Sequence, residues 1–213
     1  MKILTAELVT SASVGGPRAG MLRDDLPQFA FAGRSNVGKS SLLNALMRQK
    51  LARTSAAAGK TRQANIYRIT VEDAPGGPGR WSTYLVDLPG YGYARGGDAS
   101  VKELKEVVDA YFAAAHQQKA GDARPGAIFL LIDSRHPALP TDIQAHHWIG
   151  ESAITPVVVA TKIDKLSRSE RAKTLRELER IYHRAAIPVS AVSGEGIEEL
   201  WRLIAHTARG IAS

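Results

Sequence analysis

Residues 31–41 read FAGRSNVGKSS, and Gly33 to Ser40 within them fit the pattern G-x-x-x-x-G-K-[ST]. The apolar run Phe29–Ala32 predicts a buried strand in front of this loop. Leu42, Leu43, Leu46 and Met47 share one helical face and predict a helix behind it. Between a strand and a helix, glycines let the backbone curl so that its N–H groups point at phosphate oxygens, and the helix N-terminus adds positive potential. Gly33, Arg34, Ser35, Asn36, Val37, Gly38, Lys39, Ser40 and Ser41 are therefore candidate phosphate-binding residues. Lys39 is expected to reach the β- and γ-phosphates as a catalytic charge, and Ser40 to hold Mg²⁺ through its hydroxyl. Asn36 is not required by the pattern.

Working outward, Trp81–Val86, Ala127–Ile132, Pro156–Ala160 and Ile187–Val189 also read as short buried strands. Helical apolar faces separate most of them: Val101 to Phe112, Ala172 to Tyr182 and Ile197 to Ile204. Such alternation predicts a mostly parallel sheet covered on both faces. Asn65–Val71 and Trp81–Val86 flank EDAPGGPGR, a joint too short for a helical crossover, so that pair is expected to be an antiparallel hairpin. The reading is one domain over 26–213, with residues 1–25 an extension packed on or flanking it. Mobile stretches are expected near 11–25, 52–62 and 92–100.

The 213 residues suffice for one well-buried domain and are few for two. No cysteine is present, which excludes disulfides and thiolate metal sites. The longest apolar runs, AIFLLI and VVVA, fall far short of the roughly 20 residues that span a bilayer, and the N-terminus lacks the apolar core of a secretion signal. A cytoplasmic protein without membrane contact is expected. The formal charge of +7 favours phosphate-rich partners.

Three further strand-terminal loops carry chemistry. Asp87-Leu88-Pro89-Gly90 ends one strand; its carboxylate can serve the metal's shell, and Gly90 can present a close N–H to a γ-phosphate. Thr161-Lys162-Ile163-Asp164 ends another. A fixed carboxylate there accepts from both N1–H and the 2-amino group of guanine, donors that adenine lacks. The Lys162 stem can lie over the base. Ser190-Ala191-Val192 follows the last strand, and its backbone can offer an N–H to guanine O6.

In this order the four loops resemble the translation-factor class of GTPases. GRSNVGKSSLLNAL, LARTSAAAGKT, DLPGYGYA, DSRHP and TKIDKL narrow the resemblance to the bacterial EngB family, also called YihA or YsxC. It spans most of residues 26–204. It implies a Ras-like P-loop GTPase fold: an α/β three-layer sandwich with a mostly parallel six-stranded sheet and one antiparallel hairpin strand. It also implies a GTPase that assists assembly of the large ribosomal subunit, meeting that subunit or its precursor through ribosomal RNA and protein. A role in cell division and septation is attached to the family. By the same resemblance Gly59, Lys60, Thr61, Arg62 and Gln63 form a switch segment, with Thr61 adding a second hydroxyl to Mg²⁺ and sensing the γ-phosphate. The metal set is then Ser40, Thr61 and Asp87, and the catalytic set Lys39, Thr61, Gly90 and Asn36. Where the family often has Thr-Pro before the switch glycine, this chain has Ala57-Ala58, which gives the segment more backbone freedom.

Many GTPases place a water-orienting glutamine just after D-x-x-G; here Tyr91 stands there, so slow intrinsic hydrolysis is expected. Arg95 and Arg135 are candidates for compensating charge or plain surface residues. Asn36 has two readings that stay open. Potassium-activated GTPases carry Asn at this place, where its amide oxygen would help hold K⁺; alternatively Asn36 caps the turn through its own backbone. Tyr91 and Tyr93 are switch anchors or partner contacts. Residues 165–184 hold seven Lys/Arg against three Glu, a surplus suited to RNA phosphates. The histidines lack metal-ligand spacing and read as surface or packing residues. A monomer is expected. The competing function is a GTP-dependent protein-binding switch in cell division with no direct ribosomal role.

Overall fold

Apolar runs that cannot stay in water pair side by side in the computed structural model, which describes residues 1–13, 24, 26–52, 63–73, 79–91, 125–151 and 155–212. The strands are β1 (Lys2–Ser13), β2 (Gln28–Gly33), β3 (Gln63–Glu72), β4 (Arg80–Asp87), β5 (Pro125–Asp133), β6 (Val157–Thr161) and β7 (Ile187–Pro188). They form one sheet in the order β1-β3-β4-β2-β5-β6-β7. β1–β3 and β3–β4 are antiparallel, the latter being the expected hairpin; the other pairings are parallel. Among the described residues four α-helices accompany the sheet: α1 (Lys39–Met47), α2 (Pro140–Glu151), α3 (Arg168–Tyr182) and α4 (Ile197–Ala212).

Strand alternation sends neighbouring residues to opposite faces, and both faces are covered. On one side Ala30, Ala32, Ile128, Leu130 and Ala160 meet Trp148 and Ile149 of α2 and Leu178 and Tyr182 of α3. On the other, Phe29, Phe31, Phe129, Leu131 and Val159 meet Leu42, Leu43 and Leu46 of α1 and Leu200, Trp201 and Ile204 of α4. The Trp201 indole N–H donates to the Leu46 carbonyl at 3.2 Å, joining α4 to α1. This is the three-layer sandwich the sequence predicts.

The sheet has seven strands, one more than the six expected. The extra strand comes from the segment read as a flanking extension. β1 pairs along β3 from Lys2↔Glu72 to Ser13↔Gln63, so residues 11–13 belong to a strand and not to a mobile stretch. Register shifts between Ile3 and Thr5 and between Leu8 and Thr10 break the two-residue period, and that hid the strand. The second omission is α2. Its buried stripe is Asp142, Ala145, Trp148 and Ile149, and a buried carboxylate interrupts the apolar spacing on which a helix is read. His146 packs against Tyr182 with ring centroids 4.9 Å apart, while His147 is exposed beside Glu151. Ala52, placed in a mobile stretch, is fastened by two 2.8 Å hydrogen bonds to the Asn44 amide. The expected helix from Val101 to Phe112 lies outside the described residues, as does most of the three stretches expected to be mobile. Among the described residues no helix is long and apolar enough to cross a membrane.

Candidate functional site

Loops leaving the C-terminal ends of β2, β4, β6 and β7 gather the predicted residues at one edge of the sheet, where ligands bind in open α/β folds. The loop after β2 turns through left-handed backbone at Asn36 (φ 65°) and Gly38 (φ 105°). Gly38 also caps α1, with no side-chain hydrogen bond to the first turn and no acidic residue within it. The amides of that turn are therefore left for an outside acceptor, and the helix dipole makes an anion the favoured one. The Lys39 ammonium lies on the Asp87 carboxylate, and both side chains are nearly buried. These groups fit a magnesium-bound phosphate chain: open amides and Lys39 suit phosphate oxygens, and the Ser40 hydroxyl and Asp87 carboxylate are hard oxygen donors of the kind Mg²⁺ takes.

The loop after β6 is tied to the phosphate loop. The Thr161 hydroxyl donates to the Val37 carbonyl at 2.7 Å and lies 3.1 Å from that of Ile132. Lys162 adopts φ 58° and donates from Nζ to the Asn36 carbonyl at 2.6 Å and to Asp133 Oδ2 at 2.8 Å. Ile163 is buried and anchors the turn that carries Asp164. The buried Ser190 hydroxyl donates to Asp164 Oδ1 at 2.7 Å and accepts from the Val192 and Ser193 amides at 3.2 and 3.1 Å. Chiefly through that hydroxyl, the Asp164 carboxyl is held below its ordinary value, ready as an acceptor. Ser190 and Gly194 also spend their amides, on Glu195 and Ser190 carbonyls. Of residues 190–194, Ala191 alone keeps an amide without a partner among the described residues. Of the three residues expected to offer an N–H from this loop, Ser190 and Val192 have theirs engaged and Ala191 does not.

Two carboxylates that the sequence reading missed hold these loops. Asp133, which heads DSRHP, receives Arg135 through Nε at 2.9 Å and Nη2 at 2.7 Å in addition to Lys162. Burial would raise its pKa; the bonds from Arg135 and Lys162 win and hold it well below the carboxylate range. Arg135 is an exposed surface residue whose charge is paired with Asp133. Asp142, fully buried on α2, accepts from the Tyr91 hydroxyl at 2.9 Å and from Arg34 Nε at 3.3 Å. Burial raises the Asp142 carboxyl, with the Tyr91 and Arg34 bonds pulling the other way. Tyr91 is buried at 1% exposure, with its hydroxyl spent on Asp142. The motif D-S-R-H-P was a usable signal for Asp133; nothing in the letters marked Asp142.

Leu88 and Pro89 are buried and Gly90 exposed, with the Leu88 amide donating to the Phe31 carbonyl at 3.1 Å. The Asn36 side chain is exposed and makes no hydrogen bond among the described residues, so it does not cap its own turn; its left-handed φ is one Asn tolerates well. Gly59, Lys60, Thr61, Arg62, Tyr93 and Arg95 lie outside the described residues. The Gln63 backbone opens β3 opposite Ser13.

A family model described as 50S ribosome-binding GTPase matches residues 28–162. A probable GTP-binding protein EngB from Lachnoclostridium phytofermentans is 39% identical over 183 residues, which cover 84% of this chain and 83% of the relative. The one from Thermotoga maritima is 38% identical over 208 residues, 96% of each chain. Among solved structures, a probable GTP-binding protein engB superposes with a TM-score of 0.62 at 23% identity, covering 86% of this chain and 99% of that one. A variant of Aquifex aeolicus Era bound to GDP and AlF4⁻ gives 0.65 at 23% identity, over 85% of this chain and 56% of that one. The structural likenesses speak for the P-loop GTPase fold. Sequence identity of this extent, laid over loops that present an uncapped helix start, a lysine and a hydrogen-bonded carboxylate at one edge, shows that the chain belongs to the EngB family of GTP-binding proteins and is a GTPase.

Proposed function

We propose that this chain hydrolyses GTP to GDP and phosphate as an assembly factor for the large ribosomal subunit, in the cytoplasm and as a monomer, and that normal cell division depends on it. In this reading Asp164, held by Ser190, reads the guanine edge, Ala191 N–H meets O6 and the Lys162 stem lies beside the base. Lys39 leaves Asp87 for the phosphates. Ser40, Thr61 and Asp87 hold Mg²⁺, which when bound neutralises charge on the phosphate chain. Gly90 offers its N–H to the γ-phosphate. With Tyr91 buried, hydrolysis is slow until outside help arrives. One part of that help is K⁺ at the unbonded Asn36 amide; the other is the partner.

The observation that carries the ribosomal part is the outward face of α3. Thr174, Leu178 and Tyr182 face the core. Helical spacing then sends Lys173, Arg176 and Arg180 to solvent on one stripe, and all three are exposed. Arg184 extends it past the helix end. This stripe suits a phosphate backbone better than an apolar protein partner. GTP turnover measured with and without large ribosomal subunits, in KCl and in NaCl at equal ionic strength, tests the reading. Subunits should raise turnover, more so in KCl, and cosedimentation should weaken steeply with salt. Turnover indifferent to subunits removes the ribosomal assignment; equal rates in the two salts remove K⁺.

A further inference from the structure

Tyr91 occupies the position of the water-orienting glutamine, yet the structure gives it a different task. Its hydroxyl ends on Asp142 Oδ1, and the other oxygen of that carboxylate takes Arg34 Nε. Asp142 is wholly buried in the first turn of α2, a helix on the far side of the DSRHP loop. A carboxylate without solvent is costly to fold around, and an apolar side chain would fill its place more cheaply. What it holds accounts for its presence. Arg34 begins the phosphate loop, and Tyr91 begins the segment after D-x-x-G. The same two stretches also touch through their backbones. The Ser35 amide donates to the Tyr91 carbonyl at 2.9 Å, and Arg34 and Tyr91 form a parallel bridge. Between them Gly90 is pressed so close that a Cβ there would lie 3.1 Å from Ser35 Oγ and 3.3 Å from Ser35 N.

We infer that Asp142 is a positioning residue: with Tyr91 and Arg34 it forms a buried latch that fixes the Gly90 N–H against the phosphate loop, and so sets how well the third phosphate of GTP is held and cleaved. The inference rests on the GTP reading above. It has a signature that general destabilisation lacks. GDP has no third phosphate and gains nothing from Gly90, so loosening the latch weakens GTP binding while leaving GDP binding in place. Tyr91→Phe keeps the ring and its packing and deletes only the hydroxyl; Asp142→Asn keeps the shape and removes the charge.

The test is titration of GDP and of a non-hydrolysable GTP analogue onto wild type and both variants, together with kcat and thermal midpoints. Loss of a hydrogen bond to a charged acceptor predicts that the analogue-to-GDP affinity ratio falls about 10-fold in Tyr91→Phe, with kcat falling by a similar factor. GDP affinity stays within about twofold of wild type, since a contact made only to the third phosphate contributes nothing to GDP. Asp142→Asn should fall further in both ratio and kcat. A folded Tyr91→Phe protein with an unchanged ratio overturns the latch, as does a parallel loss of both affinities that follows the thermal midpoint. Wild-type protein that binds no guanine nucleotide overturns the GTP reading together with the latch; wild type that binds GTP, with the ratio intact in Tyr91→Phe, overturns the latch alone.

Discussion

At the scale of single residues, the chemistry converges on carboxylates whose neighbours decide their charge. Ser190 donates to Asp164 and lowers its carboxyl below the ordinary value. Asp164→Asn replaces an acceptor by an amide whose N–H₂ meets the guanine donors, so GTP affinity should fall about 100-fold, with preference over ATP lost in competition binding. Guanine selectivity that survives the change would show Asp164 to be the wrong residue. Asp133 behaves through linkage. Its folded pKa lies below the unfolded carboxylate value of about 3.9, so it stabilises the native state at neutral pH and that contribution is lost as pH falls below about 4. The thermal midpoint of Asp133→Asn should therefore lie below wild type at pH 7, with the gap starting to narrow as pH falls below about 4. Asp164 and Lys39 were legible because their neighbours form motifs. Asp142 was not, since its meaning comes from Tyr91 and Arg34, 51 and 108 residues away along the chain.

Among elements, legibility followed the regularity of the apolar period. β2 and β5 are buried central strands and read as unbroken apolar runs. α3 announces itself twice, through its core stripe and through Ser167-x-x-Glu170, whose side chains and amides satisfy each other as a capping box. Ser167→Ala should cost about 1 kcal/mol in a denaturant titration and leave nucleotide affinity unaltered, because the Ser167 side chain bonds to Glu170 and Ser169 and not to Asp164. β1 and α2 escaped the reading for opposite physical reasons. In β1 the bulges shift a good alternation out of phase; in α2 a buried carboxylate occupies a core position that an apolar residue would otherwise fill.

For the molecule as a whole, the sheet is both scaffold and boundary. Its parallel centre holds the four loops at one edge, and that much followed from the order of strands and helices along the chain. The antiparallel wing ends in β1, which shields the long edge of β3 and lays Met1, Ile3 and Ala6 partly against the core. Removing residues 1–13 uncovers that edge. Partial burial of these side chains contributes about 3 kcal/mol, so the thermal midpoint should drop by about 6–12 °C, with aggregation appearing on heating and the GTP site intact in binding assays.

The pairing of β1 with β3 also orders events in time. Each contact in that ladder joins residues 50 to 70 positions apart, with Ser13 reaching Gln63 and Lys2 reaching Glu72. At translation rates of about 5–20 residues per second, β1 is finished roughly 3–12 s before its partner is complete. β1 thus waits for the strand it pairs with, and the polar residues threaded through KILTAELVTSAS keep it soluble while it does.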